Sequence, residues 1–307
     1  MKRRRTGQPF RFIYQPAGYL LIGTALVMLL LASEVSANAS VEDVHNVSEI
    51  CMNAQRALKD YAVIGMELSY HNHLQESLTD VEEHFGGLKK SDKLHQDLLA
   101  EITELETLWT GIKPKFEKKP FDKATMHELH ELIDEDFTER CQHIADKLAE
   151  ATDIKGDEHI VQVARLGMQS QRLAAIYLLK AWGIDDEHYN RVVQRILSET
   201  EQAYSKLLNA DEKFVSKEIR DTIKESRKDF LSFSIMAKST SGRFIPTKAT
   251  QIADKLYDML RDILHRTREL VESNVSVLFI PIAEEKTTEE IFKAMTESVH
   301  VTGGIKS

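Results

Sequence analysis

The segment RLGMQSQRLAAIY, residues 165–177, is the key to the predicted fold, because its pattern also occurs 116 residues earlier as EICMNAQRALKDY, residues 49–61. Both copies place a Met, a Gln-Arg pair and a Tyr at the same spacing. These residues are Met52, Gln55, Arg56 and Tyr61 in the first copy and Met168, Gln171, Arg172 and Tyr177 in the second. Trp109 matches Phe230 further along, and Lys123-Ala124-Thr125 matches Lys248-Ala249-Thr250. The ordered set of matches predicts an internal repeat.

Helical periodicity extends outward from both copies. Apolar residues recur every three to four positions through nearly all of 44–275, which predicts amphipathic helices. The predicted helices cover about 44–68, 74–88, 93–112 and 122–152, and then about 158–183, 187–208, 215–235 and 247–274. Pro114 and Pro120 predict a break before the fourth helix, and Pro246 a break before the eighth, because proline cannot donate to a helix ladder. We therefore predict an all-α protein of two tandem up-down four-helix bundle repeats.

The chain length and the N-terminus suggest the domain boundaries. The 307 residues suit two domains of ~100–150 residues each. We expect a first repeat over 40–155, a second over 156–275 and a tail over 276–307. Residues 1–37 have the basic start, the uncharged apolar run and the small residues before Ala37 that are typical of a signal peptide. The sequence thus predicts a periplasmic protein, with an uncleaved N-terminal anchor in the inner membrane as the alternative.

The charge limits the class of partner. Cleavage after Ala37 removes five basic residues and one acidic residue, which moves the formal charge from −9 to −13. An acidic chain without a basic cluster argues against nucleic-acid binding. The longest later apolar run, 275–283, is too short to span a bilayer.

The two cysteines, Cys51 and Cys141, both fall on inward-facing stripes of predicted helices in the first repeat. If those helices are antiparallel neighbours, the two thiols lie at similar heights. The sequence leaves two alternatives open: a disulfide, which an exported protein can form, or two buried thiols.

The first helix of each repeat has a second face that is not simply polar. In the second repeat this face has the alternating spacing of four and three residues that is typical of a helix–helix seam. The seam positions are Val161, Arg165, Met168, Arg172, Ala175, Leu179 and Trp182, and their counterparts are His45, Glu49, Met52, Arg56, Lys59, Val63 and Met66. We expect the 161–182 face to pack on a partner helix, from a second copy in a homodimer, from a receptor or pilus protein, or from the other repeat. The alternative for the arginines is that they extend over a mildly apolar surface.

The repeated segment resembles the N-terminal sensor domain of type IV pilus methyl-accepting chemotaxis transducers, which is related to the periplasmic domain of nitrate/nitrite sensor kinases. The resemblance implies a four-helix sensing module, often dimeric, that passes a ligand-dependent helix shift to a signalling domain. It also implies an anion-binding Arg just before the Met, where this chain has Cys51 and Gly167. Arg165 matches an earlier Arg of the family pattern and is the better anion candidate. No signalling region follows 275, so we expect a module that acts alone or docks on a receptor.

The sequence favours binding over catalysis. The candidate ligand-binding residues are Arg165, Met168, Gln171, Arg172, Met52, Gln55 and Arg56, and the expected ligand is a small anion or metabolite. No nucleophile-elbow, phosphate-loop or zinc-protease motif occurs, so we expect no enzyme and no cofactor. His127 and His130 could hold a metal with Glu128, Glu131 or Asp134, but acidic helix surfaces produce such pairs by accident, and we expect no metal. The predicted function is a sensor-like binding module; the alternative is a structural or assembly accessory of an envelope or pilus complex without a small ligand.

Overall fold

The computed structural model describes residues 39–152, 154–184, 188–239 and 243–278. Within these residues all regular structure is helical, with no strand, which confirms the predicted all-α fold class. The predicted signal peptide, 1–37, lies outside the described residues, as does the predicted tail except for 276–278. None of the described helices is both long and apolar enough to cross a membrane.

The helices fall into two sets, which we call the first half (41–151) and the second half (157–278). The first half contains α1 (Val41–Gly65), α2 (Leu74–Leu88), α3 (Gln96–Glu117), α4 (Lys123–His130), a π-helical segment (Glu131–Phe137) and α5 (Thr138–Ala151). The second half contains α6 (Asp157–Trp182), α7 (Tyr189–Leu208), α8 (Lys217–Lys238) and α9 (Pro246–Leu278).

Two details of the predicted helices were wrong. Pro114 lies inside α3 instead of ending it. It stands in the last turn, where only one ladder hydrogen bond is lost before the helix ends at Glu117. The predicted helix over 122–152 is also not uniform, because the π-helical segment interrupts it. Pro246, by contrast, stands at the first position of α9, where its missing N–H costs nothing.

A tyrosine in the first helix of each half makes the same contacts. The Tyr61 hydroxyl accepts a hydrogen bond from the backbone N–H of Asp122 (3.2 Å), and the Tyr177 hydroxyl accepts one from that of Ile245 (2.8 Å). Each tyrosine ring also packs edge-on against two phenylalanines. These are Phe116 and Phe121 in the first half and Phe233 and Phe244 in the second. The first helix of each half therefore makes the same kind of contact with the segment that precedes its fourth helical region.

The two halves pack side by side through their first helices. Met52 covers Gly167 near the middle of the pair, and Trp182 covers Gly65 where both helices end, so α1 and α6 run parallel. α1 also contacts α9, and α6 contacts α5. The described helices therefore form one compact unit.

The predicted seam lies inside this contact. The side chains of Val161, Met168, Ala175 and Leu179 are each at most 4% exposed. The sequence leaves three partners open for the 161–182 face: a second copy, a receptor or pilus protein, or the other repeat. In the structure this face packs on α1 of the first half. That face is therefore covered, and a homodimer or a receptor complex would have to use a different surface.

Candidate functional site

The predicted ligand-binding residues lie together along the contact between α1 and α6. Met52, Gln55, Met168 and Gln171 are at most 1% exposed. Gln55 Nε2 donates to Thr138 Oγ1 (2.8 Å), and Gln171 Nε2 donates to the carbonyl oxygen of Ala253 (2.7 Å). Both amide groups are therefore already engaged with the fourth helical region of their own half.

Arg172 forms a buried ion pair with the other half. Its guanidinium contacts Asp134 with two nitrogens, Nε to Oδ1 and Nη2 to Oδ2, the latter at 2.7 Å. The two side chains are 5% and 4% exposed. A bidentate pair of this kind is strong and directional, so it fixes α6 against the π-helical segment of the first half.

Arg56, the counterpart of Arg172, also reaches across to the other half. Its guanidinium carbon lies 4.0 Å from the centre of the Tyr257 ring in α9, a cation–π contact. The Tyr257 hydroxyl donates to Asn53 Oδ1 (2.8 Å), and Arg56 Nη1 lies 3.5 Å from Glu76. The two arginines therefore join the halves at equivalent positions with different partners.

Arg165 and Glu49, the seam positions of opposite charge, do not pair with each other. Arg165 Nη2 contacts both carboxylate oxygens of Asp146 in α5 at 3.1 and 3.2 Å. Glu49 Oε1 lies 3.5 Å from Arg261 Nε and 3.8 Å from His265 Nε2, both in α9. Arg165 of the second half thus meets α5, the last helix of the first half, and Glu49 of the first half meets α9, the last helix of the second half. Both contacts arise because α6 packs against α5 and α1 packs against α9.

The place where the family resemblance implies an anion is filled. Cys51 is bonded to Cys141 in α5, with the Cα atoms 5.8 Å apart, so of the two alternatives the structure contains the disulfide. A Cβ on Gly167 would lie 2.4 Å from Met52 Cε. The space left between Cys51 and Met168 is about 10 Å³, at most the room for one water molecule. A ligand between α1 and α6 would require the two helices to separate.

A larger cleft opens beside the seam, between the two halves. Its volume is about 640 Å³, within the range of small-molecule sites. One wall comes from α4 and the π-helical segment, and the other from the end of α6 and the start of α7. Its polar lining residues are His127, His130, Glu131, Asp134, Glu139, Lys180, His188, Arg191 and Arg195.

The π-helical segment shapes the first wall of this cleft. Such segments are rare and are often found at functional sites, because the wider turn displaces side chains from the α-helical register. Here the turn directs Glu131 and Asp134 to the cleft, while Thr138 closes the segment by donating to the carbonyl oxygen of Ile133 (2.6 Å). Since Asp134 also holds Arg172, the cleft and the seam share one ion pair.

The cleft is more basic than the chain as a whole. Arg172 neutralises Asp134, and Glu131 lies 3.5 Å from His127 Nε2. The other charged lining residues that the structure describes are Lys180, whose Nζ also lies 5.8 Å from the centre of the Tyr189 ring, Arg191, Arg195 and Glu139, together with three histidines. The described lining therefore has three lysine or arginine side chains and three carboxylates, of which Arg172 neutralises Asp134, whereas the chain as a whole has a net charge of −9. This arrangement suits an anionic group.

The sequence contained a signal for this cleft that motif reasoning missed. Arg191 and Arg195 are four residues apart and therefore share one face of α7, and His188 stands immediately before that helix. The sequence suggests His127 and His130 only as possible metal ligands. Their position opposite α7 depends on how the halves pack, which no local pattern shows.

Comparison of the chain with protein-family models, with curated proteins and with solved structures finds no match.

Proposed function

We propose that this protein is an exported, non-enzymatic binding module that takes a small anionic ligand in the cleft between its two halves. The observation that carries the proposal is the cleft itself, about 640 Å³ in volume, with the exposed side chains of Arg191 and Arg195 in its lining. The periplasmic location and the sensor-like role are supported by the N-terminal sequence pattern and by the repeated segment.

The chemistry of the cleft favours a carboxylate or phosphate group on the ligand. Arg191 and Arg195 are exposed side chains one turn apart on α7, and guanidinium groups bind such oxyanions with two parallel hydrogen bonds. The partly apolar wall formed by Ile176, Leu179 and Val192 gives room for a carbon skeleton.

A ligand in the cleft would contact both halves at once. The π-helical segment belongs to the first half and α7 to the second, and the Arg172–Asp134 pair lies at the base between them. Binding is therefore expected to stabilise the packing of the two halves against each other. A ligand in the cleft would in this way change the stability of the whole fold.

Thermal unfolding with a panel of anions tests the proposal. Phosphate, acetate, citrate and nitrate are suitable probes, and a ligand at 100 times its dissociation constant adds ~2.7 kcal/mol of stability. We expect the double variant Arg191→Ala/Arg195→Ala to lose the shift. The matched control is Lys224→Ala/Lys228→Ala, which removes two exposed basic residues at the same spacing on α8. Equal shifts in both double variants would place the ligand elsewhere.

A second candidate function is an accessory role without a small ligand. It is favoured by two large apolar side chains on α8, Leu231 and Ile235, which are 49% and 73% exposed and lie one turn apart. If no anion or metabolite changes the unfolding temperature and Leu231→Glu/Ile235→Glu abolishes co-purification of one defined envelope protein, the accessory role replaces the binding role.

A further inference from the structure

A separate group of polar side chains lies where α1 begins, at the end of the seam opposite the cleft. His45 and Glu49 stand one turn apart on α1 and are 2% and 0% exposed. His265, on α9, approaches them from the other half with a side chain that is 45% exposed. The centres of the His45 and His265 rings are 5.0 Å apart.

These three residues direct potential metal-ligand atoms at one point. One imidazole nitrogen from each histidine and one carboxylate oxygen of Glu49 all lie within 4.8 Å of one another. His265 Nε2 and Glu49 Oε1 are 3.8 Å apart. A zinc ion with bonds of about 2.0–2.1 Å holds its ligand atoms about 3.3 Å apart, so this pair needs to close by only about 0.5 Å.

Two of the polar atoms here are buried without a hydrogen bond. They are His45 Nδ1 and Glu49 Oε1. The neighbouring Asn53 Nδ2 contacts the other carboxylate oxygen of Glu49 (3.2 Å) and leaves Oε1 unsatisfied. Buried polar atoms without partners are costly and rare in native proteins, and an unseen ion is one of the few explanations for them.

The nearby arginines have other carboxylates to pair with. Arg261 Nη2 lies 3.4 Å from Asp80, and Arg268 contacts Glu42 (2.8 Å) and Glu272 (3.7 Å). Arg261 Nε approaches Glu49 Oε1 only to 3.5 Å and makes no hydrogen bond there. A cation can therefore take Glu49 while both arginines keep their other partners.

We propose that His45, Glu49 and His265 bind one divalent transition-metal ion of the zinc class. Imidazole nitrogen and carboxylate oxygen are ligands that this class prefers, and two His with one Glu is an established zinc ligand set. Water completes the coordination on the exposed side of His265. Because His45 and Glu49 belong to the first half and His265 to the second, the ion joins the halves at the end opposite the cleft. The proposal revises the expectation from sequence that the chain holds no metal.

Isothermal titration of the purified, chelator-treated full chain with zinc chloride tests the site. We expect one equivalent to bind, and His265→Gln to weaken binding at least ~100-fold by removing one of three ligands. His265→Gln is the informative variant because its side chain is half-exposed, so folding is preserved; equal unfolding temperatures without metal check this. His71→Gln, an exposed histidine away from the site, is the matched control and should bind as the unchanged chain does.

Two further measurements distinguish zinc binding at this site from nonspecific zinc binding at the surface and from zinc binding in the cleft. Zinc should raise the unfolding temperature of the unchanged chain and of Arg191→Ala/Arg195→Ala, but not that of His265→Gln. Cobalt(II) bound at the site should give the intense visible absorption of a tetrahedral complex. The proposal fails if His265→Gln and His71→Gln bind zinc equally, or if the unchanged chain binds no stoichiometric zinc. Neither result depends on whether the cleft binds an anion.

Discussion

Single residues at the contact between the halves carry much of its specificity, and Arg172 is the clearest case. The Arg172–Asp134 pair is almost fully buried, so removing one partner leaves an uncompensated charge in a low-dielectric interior. We expect Arg172→Met to lower the free energy of unfolding by about 3–5 kcal/mol in urea titrations.

The double variant Arg172→Met/Asp134→Leu should recover most of that loss, because neither charge then remains buried. The matched control is Arg140→Met, which breaks the exposed pair with Asp136 and should cost less than about 1 kcal/mol. Similar losses in Arg172→Met and Arg140→Met would mean that the Arg172–Asp134 pair is solvated.

Asp157 makes the stability of the protein depend on pH. It begins α6 with no exposed surface, and burial, helped by Glu158 and Glu272, raises its pKa from an ordinary value near 3.8 to about 6. Between these values the unfolded chain loses the proton while the folded chain keeps it, so this residue makes the protein less stable as pH rises.

Asp157→Asn removes this dependence, since an amide does not ionise. We expect the stability of the unchanged chain relative to Asp157→Asn to fall by on the order of 2 kcal/mol between pH 4 and pH 7 and then to level off. Urea titrations across this pH range give the measurement. Glu150→Gln, an exposed carboxylate on α5, is the control and should show no such trend. A constant difference between Asp157→Asn and the unchanged chain would contradict the raised pKa.

At the scale of the helices, close approach between elements requires glycine at particular positions. A Cβ on Gly65, at the end of α1, would lie 2.1 Å from Trp182 Cη2, an atom of a rigid ring on α6. A Cβ on Gly111, inside α3, would meet nothing within 4 Å. The same substitution should therefore have opposite effects at the two sites.

We expect Gly65→Ala to destabilise the protein by about 1–3 kcal/mol through overpacking. Gly111→Ala should stabilise it by roughly 0.5–1 kcal/mol, because alanine has the higher helix propensity and no contact is disturbed. Differential scanning calorimetry of the two variants gives the comparison. A stabilising Gly65→Ala would show that Trp182 does not hold α1 and α6 together.

The helices were predictable because each one buries a stripe that repeats every three to four residues, and the seam on α6 was predictable from its 4-3 spacing. The π-helical segment was not, since Glu131–Phe137 has ordinary helix-forming residues, and the contact of its Asp134 with Arg172 of the other half is invisible to any local pattern. The same reason applies to the sites. The sequence predicts Arg56 and Arg172 as seam positions and candidate ligand-binding residues, but their contacts Tyr257 and Asp134 lie far away in sequence, and only the packing of the helices brings them together.

In the complete fold, α1 and α6 form the centre of the molecule, although the sequence predicts that each presents a second face outward from its own half. Nearly every residue of α1 from Asp43 to Val63 is buried, and α6 is buried almost as completely. A helix buried on all sides cannot be covered by its own half alone. The cleft and the proposed metal site then lie at opposite ends of one shared interface, so a ligand at either place acts on the same contact.

The shared interface predicts that the protein unfolds as one unit even though its sequence is arranged in two halves. Lys59 of α1 is fully buried and contacts Asp254 of α9 as well as Asp60. Separating the halves would break the contact between Lys59 and Asp254 and would also expose the apolar seam to water. We expect a single calorimetric transition whose van't Hoff and calorimetric enthalpies agree. Residues 39–152 produced alone should expose the Met52 and Val63 surface and bind a hydrophobic dye, and the full chain should not. Two resolved transitions in the full chain, or a fragment as stable as the whole, would show that each half folds on its own.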